Sequence, residues 1–206
     1  MGNLAIIPAR GGSKRIPRKN IKDFLGRPII AYSIETALKS GLFEEVMVST
    51  DDQEIAAIAK SYGASVPFSR SKEKSNDHAT TMDVIHEVIR DYTKQGRTFD
   101  HICCIYPTAP LTTIENIKDG LELLQKEQHE TVFPMVAFSY PIWRGIKRNK
   151  LGQSELVSKE YSNARSQDIE TIYHDAGQWY WINKKNLVLS ILDSKMGNII
   201  LSEMDV

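Results

Sequence analysis

The 206-residue chain is 41% hydrophobic and 25% charged, the composition of an ordinary globular domain, and a chain of this length buries a core without disulfide or metal staples. Lysine plus arginine (26) balances aspartate plus glutamate (26), so no global basic field attracts nucleic acid and any polyanion has to be met locally. The longest apolar runs, such as residues 4–8, fall far short of the roughly 20 residues of a membrane span, and the basic residues 10–19 follow that run instead of preceding it; neither a membrane segment nor a signal layout is expected, and the cytoplasm is the expected location.

Residues 4–7 (Leu-Ala-Ile-Ile) are a compact apolar run closed by Pro8 and the pair Gly11-Gly12, which predicts a buried parallel strand followed by a loop. Residues 28–40 carry Ile29, Ile30, Ile34, Ala37 and Leu38 at helical spacing up to Gly41. A second round follows: a strand at 46–48, the acidic turn Asp51-Asp52, and a helix with Ile55, Ala56, Ile58 and Ala59 on one face until Gly63. A helix over about 83–92, a strand at 102–106, a helix over about 114–126 and a strand at 131–136 continue the alternation. From 137 to 172 it stops, and Pro141, Trp143, Gly145 and Gly152 among polar residues predict short strands and turns. A strand at 178–182 and a short helix over 185–192 complete the chain. Such alternation predicts an α/β, doubly wound, mostly parallel sheet with helices on both faces. The adjacent Cys103 and Cys104 fall in a buried strand, where successive side chains face opposite ways, which predicts packed, reduced thiols.

The loop after the first strand, residues 8–20, holds Arg10, Lys14, Arg15, Arg18 and Lys19 with Gly11 and Gly12. Ligands of doubly wound sheets bind at the carboxyl ends of the strands, where this loop belongs. Glycines let backbone N–H groups approach phosphate oxygens, and the cations balance a triphosphate's charge. The loop matches neither G-x-x-x-x-G-K-[ST] nor G-x-G-x-x-G, which disfavours an ordinary ATPase or dinucleotide site. Composition alone leaves a second reading open, a solvated surface loop.

The pattern Pro8-Ala9-Arg10-x-x-Ser13-Lys14-x-Ile16-Pro17-x-Lys19-Asn20 resembles the signature loop of the CMP-sugar-acid synthetases, the acylneuraminate cytidylyltransferase family. The resemblance continues through Ser49-Thr50-Asp51, through residues 106–111 (Tyr-Pro-Thr-Ala-Pro-Leu) and into Arg165-Ser166-Gln167-Asp168, so it spans nearly the whole chain. Within the group, residues 139–144 and 173–181 are most similar to the pseudaminic acid cytidylyltransferases. The resemblance implies a Rossmann-like nucleotidyltransferase fold and transfer of CMP from CTP to a nonulosonic acid with release of pyrophosphate. Pseudaminic acid is the expected acceptor; sialic or legionaminic acid, or a CTP-binding protein without turnover, are the alternatives.

It also implies roles for single residues. Arg10 and Lys19 would contact the nucleotide phosphates and carry catalysis, Asn20 the ribose, and Arg70 and Thr81 the cytosine and its ribose. Ala9, Gly11, Gly12, Ser13 and Lys14 would complete the nucleotide site; Lys14 and Arg15 either reach the outer phosphates or face solvent. The region of Thr80 and Thr81 also reads as a helix N-cap. The sugar acid would meet Tyr106, Thr108, Arg165, Gln167, His174, Asp175 and Gln178, a set offering a cation for its carboxylate and neutral groups for its hydroxyls. Tyr106 and Thr112 replace a glutamine and an arginine of the sialic acid enzymes, which weighs against sialic acid. Magnesium is the expected cofactor, but the acidic Q-D-I-D-T-like segment that binds it in the family would begin where this sequence reaches Asp205 and Val206, so its ligands stay unassigned. One domain over 1–206 is expected, with 138–163 as a projecting arm. Its Phe138, Tyr140, Ile142, Trp143 and Ile146 cannot cover one another, so a homodimer interface is expected there.

Overall fold

The computed structural model describes residues 2–187, 191 and 194–206. They form two compact units, one of Met1–Pro134 with Gly177–Ile199 and one of Met135–Ala176 with Ile200–Val206.

The first unit opens with β1 (Gly2–Pro8), whose Leu4, Ala5, Ile6 and Ile7 are wholly buried because both faces of this strand are covered. After the loop comes a two-residue ladder, β2 (Asp23–Phe24) with β3 (Arg27–Pro28), closed by Leu25 and Gly26 at φ 53° and 85°. Both central residues at positive φ make the tight hairpin turn that matches strand twist. This ladder takes Pro28 out of the predicted helix, and α1 (Ile30–Ser40) starts later and ends on the left-handed Gly41. The chain continues through β4 (Glu45–Ser49), α2 (Gln53–Ser61), α3 (Thr81–Lys94), β5 (Phe99–Ile105) and α4 (Ile114–Lys126). Side-chain caps set three helix starts: Asp52 accepts the N–H of Ile55, Thr113 that of Asn116, and Thr80 exchanges hydrogen bonds with Asp83 in a capping box.

β6 (Thr131–Ala137), β7 (Ile146–Arg148), β8 (Ser154–Leu156), β9 (Tyr173–Asp175), β10 (Trp179–Asn183) and β11 (Met196–Leu201) follow. The sheet order is β11-β6-β10-β5-β1-β4. β4, β1 and β5 pair in parallel, whereas β10 is antiparallel to both β5 and β6, so those two run the same way. The sheet is therefore mostly parallel, with β10 reversed near its middle and β9 antiparallel to β6. Trp179 and Trp181 of β10 are fully buried, and the indole N–H of Trp181 donates to Ile117 O at 2.8 Å. A Cβ on Gly120 of α4 would lie 2.4 Å from the Trp179 ring, so only glycine lets this helix lie on β10.

Residues of α1, α2 and α4 form one core with Ala5, Ile7, Val48, Cys103 and Ile105. α3 packs on β1 and supplies Met82, Val84, Ile85, Val88 and Tyr92 as buried side chains outside that core. Cys103 and Cys104 are both free and fully buried, and burial raises both thiols, that of Cys104 to about 12. Of the short helix expected over 185–192, the described beginning is a 3-10 turn over Lys184–Asn186, and residues 188–190, 192 and 193 lie outside the described residues.

In the second unit β7 and β8 form a small antiparallel hairpin, and β9 pairs with Met135, Val136 and Ala137. Phe138, Tyr140, Ile142, Ile146, Leu151 and Val157 are exposed, Ile146 by 69%. Trp143 is half-buried, stacked on Tyr161 at 5.8 Å between ring centroids, with its indole N–H buried and unbonded.

Candidate active site

Because β1, β4 and β5 are parallel, their carboxyl ends open on one edge of the sheet, the edge where crossover folds place ligands. There the first unit has a cavity of about 710 Å³. The loop after β1 supplies Arg10, Ser13, Lys14, Arg15, Lys19 and Asn20, the turn after β5 supplies Tyr106, Pro107 and Thr108, and the segment leading into α3 supplies Arg70, Lys74, Asn76, Asp77, Ala79, Thr80 and Thr81.

Local packing explains how the loop is aimed. Arg18 adopts φ 54°, a left-handed conformation that a bulky residue holds only when fixed by its surroundings. Its guanidinium is fixed by Asp52 and by Glu54, at the start of α2. The mutual effect is visible in both groups: Arg18 holds the Asp52 carboxyl below its ordinary range, and Asp52 raises Arg18. The turn that results starts the 3-10 segment Lys19–Ile21 and sends Lys19 and Asn20 to the cavity wall. Asn20 is 4% exposed; its amide donates to Arg10 O at 2.9 Å, while its Oδ1 is buried without a partner. An unsatisfied buried acceptor on a cavity wall suits a ligand hydroxyl.

The cations differ in their engagement. Arg10 and Lys14 both pair with Asp77, Lys74 pairs with Asp83, and Arg18 is tied to Asp52 and Glu54. None of the described residues forms a side-chain hydrogen bond or ion pair with Lys19 or Arg15. Arg70 is buried, 7% exposed, donating through Nε to Ser49 Oγ at 3.0 Å and through Nη2 to Ser49 O. Burial pulls its guanidinium down to about 10, which leaves it charged at neutral pH. It is delivered there by residues 65–70, which run along β4 through bridges at Ser65 and Ser69 and the 2.9 Å bond from Arg70 N to Thr50 O.

Of the other predicted residues, Thr81 and Tyr106 share a hydroxyl hydrogen bond of 2.9 Å across the cavity wall, and Thr108 is beside them. Ala9 is core, with its N–H on Ser49 O. Gly11 is off the cavity wall and its N–H donates to Asp51 at 2.9 Å; it is glycine because a Cβ would lie 2.6 Å from Asp52 Oδ2. Gly12 has open space around it. Gln178 is 3% exposed, bonded to Thr112 through its side chain at 3.5 Å and to Tyr106 N–H through its carbonyl. Thr80, not Thr81, is the N-cap of α3. Arg165, Gln167, His174 and Asp175 are exposed residues of the second unit, where Gln167 lines a hollow of about 410 Å³ with Ser139, Tyr140 and Glu170.

Sequence reading missed Asp77, Asn76 and Lys74, whose signal was only a polar stretch ahead of the Thr80 cap. Magnesium finds no ready cage: among the described residues no group of three or more His, Cys, Asp or Glu side chains gathers, and Asp77, the one carboxylate on the cavity wall, is engaged by two cations. No helix among the described residues is long and apolar enough to cross a membrane.

Known proteins extend this description. A pseudaminic acid cytidylyltransferase of Campylobacter jejuni is 46% identical over 185 residues, 90% of this chain and 80% of that protein. A CMP-N,N'-diacetyllegionaminic acid synthase of Legionella pneumophila is 38% identical over 87% of this chain and 74% of that protein. The solved structure of CMP:2-keto-3-deoxy-manno-octonic acid synthetase complexed with CTP superimposes with a TM-score of 0.72 at 19% identity, over 98% of this chain and 90% of that one, and so shares the fold. The family model for cytidylyltransferases matches residues 4–205, and the chain belongs to the cytidylyltransferase family.

Proposed function

We propose that the protein transfers CMP from CTP to pseudaminic acid, forming CMP-pseudaminic acid and releasing pyrophosphate. The observation that carries this reading is the cavity wall, which gathers Arg10, Lys14, Arg15, Lys19, Arg70 and Lys74 with Asp77 as the one carboxylate among the described residues. The greater likeness to the pseudaminic than to the legionaminic enzyme supports the choice of acceptor.

In the reaction the anomeric hydroxyl oxygen of the sugar acid bonds to the α-phosphorus as its proton leaves to solvent and the bond from that phosphorus to the bridging oxygen breaks, the bonding electrons departing with pyrophosphate. Negative charge grows on the non-bridging and leaving oxygens. Lys19, half-buried and unpaired, is a cation already in place to receive that charge, and such fixed donors stabilise a transition state with little reorganisation. Arg10 joins it from the start of the same loop. The free Oδ1 of Asn20 accepts a ribose hydroxyl, and Arg70 and the Thr81–Tyr106 pair border the cytosine and its ribose. Tyr106 and Thr108 of the first unit border the cavity and offer hydroxyls to a sugar acid. Taken by themselves, Arg165, Gln167, His174 and Asp175, exposed in the second unit, offer a cation and hydrogen-bonding groups of the kind such an acid needs. Gln178 acts by holding the Tyr106 turn. Magnesium, bound chiefly through the triphosphate's own oxygens and water, is the expected companion of CTP. The exposed apolar side chains of the second unit support a homodimer built on residues 138–163.

The test is pyrophosphate release from CTP with pseudaminic, legionaminic and N-acetylneuraminic acid in turn. Pseudaminic acid is expected to give the highest kcat/KM; equal or faster turnover of N-acetylneuraminic acid overturns the assignment.

A further inference from the structure

Asp77 is the only carboxylate among the described residues lining the cavity, and it lies against the cations that phosphate is expected to use. Its two oxygens are divided between them: Arg10 Nη1 meets Oδ1 at 2.8 Å and Lys14 Nζ meets Oδ2. The side chains are 32%, 82% and 36% exposed for Arg10, Lys14 and Asp77, so this is a surface contact that an incoming anion can open without stranding a buried charge.

The turn that presents Asp77 is built from behind and does not depend on the two cations. Asn76 Oδ1 accepts the N–H groups of His78 at 2.7 Å and Ala79 at 3.0 Å, and its amide donates to Glu73 O at 2.7 Å. Ser75 Oγ donates to Ser71 O at 2.8 Å, and Lys74 Nζ reaches Asp83 at 2.6 Å. A carboxylate held out in this way remains beside the loop when the cations turn to another partner. Lys14, and then Arg10, hold the Asp77 carboxyl below its ordinary range, so it is ionised at neutral pH.

We propose that Asp77 is the resident anion of the phosphate site, which occupies Arg10 and Lys14 in the free protein and competes with the nucleotide's phosphates for them. Asp77 then sets anion affinity: it keeps the two cations ordered, weakens the hold on phosphate-bearing ligands, and reclaims the cations when pyrophosphate leaves. The proposal rests on the reading of this cavity as a nucleotide site, and inorganic pyrophosphate separates the two because it carries the charge without the base.

Calorimetric titration of pyrophosphate and CTP into the wild-type protein and Asp77→Asn decides it, with folding checked by thermal melting. Asp77→Asn is expected to bind pyrophosphate about fivefold tighter, the sum expected of two exposed ion pairs. The same substitution in a Lys14→Gln background is expected to gain distinctly less, because a competitor acts through its cations whereas a change in overall charge does not. Unchanged or weaker pyrophosphate binding by Asp77→Asn, or an equal gain in both backgrounds, overturns the proposal. If the gain appears but CTP binds no better than ATP, the resident anion stands and the cytidine reading fails.

Discussion

Residues 8–20 and residues 138–163 both interrupt the regular elements, yet they are finished in different ways. The first stretch is polar and closed by its own unit: Asn20 holds Arg10 O, Asp51 holds the Gly11 N–H, and Asp52 with Glu54 holds Arg18. The second forms a short hairpin and leaves Tyr140, Ile146, Leu151 and Val157 in solvent. A polar loop completes itself by pairing charge and hydrogen bonds, whereas a short hairpin has too little chain to bury the apolar side chains it carries. The first stretch lines the cavity, and the second is the surface on which the proposed homodimer would be built.

Removing Lys19, the half-buried one of the two loop cations without a partner among the described residues, should have the largest effect. Lys19→Ala is expected to lower turnover by about a hundredfold or more, the scale of losing one preorganised donor, with thermal stability nearly unchanged because the side chain has no partner to lose. Near-normal turnover by pyrophosphate assay would remove Lys19 from the chemistry. At the other region, light scattering should find a dimer in the wild-type protein and a folded monomer in Ile146→Asp. Ile146 tests the contact more cleanly than Trp143, which stacks on Tyr161 and would report on the hairpin's own packing. A wild-type monomer at micromolar concentration sinks the interface. The smallest effect divides the glycine pair. Gly11→Ala drives a methyl into Asp52, the anchor of Arg18, and is expected to raise KM for CTP by about tenfold through misplacement of the loop. Gly12→Ala, with open space around it, should leave KM as it was; equal effects would show that backbone flexibility, not the Asp52 contact, matters.

Much of the site was legible locally. The loop after β1 supplied Arg10, Ser13, Lys14, Lys19 and Asn20 to the cavity, and Arg70, Thr81, Tyr106 and Thr108 joined them. Beyond any contact with phosphate, Gly11 is needed for a close approach of Asp52, and Ala9 for the core. Arg18 looked like one more phosphate cation and is instead the loop's anchor.

The sequence by itself determined where strands and helices alternate, because burial periodicity is a property of neighbouring residues, and α4 over Ile114–Lys126 was legible to its ends. It also determined the stock of cations at the end of β1. Tertiary structure decided which of them are spent and which are free, since Asp52, Glu54 and Asp77 reach the loop from elsewhere in the chain and like residues become unlike once paired. It decided the reversed direction of β10 as well, because an apolar run buried on both faces has the same pattern in either direction.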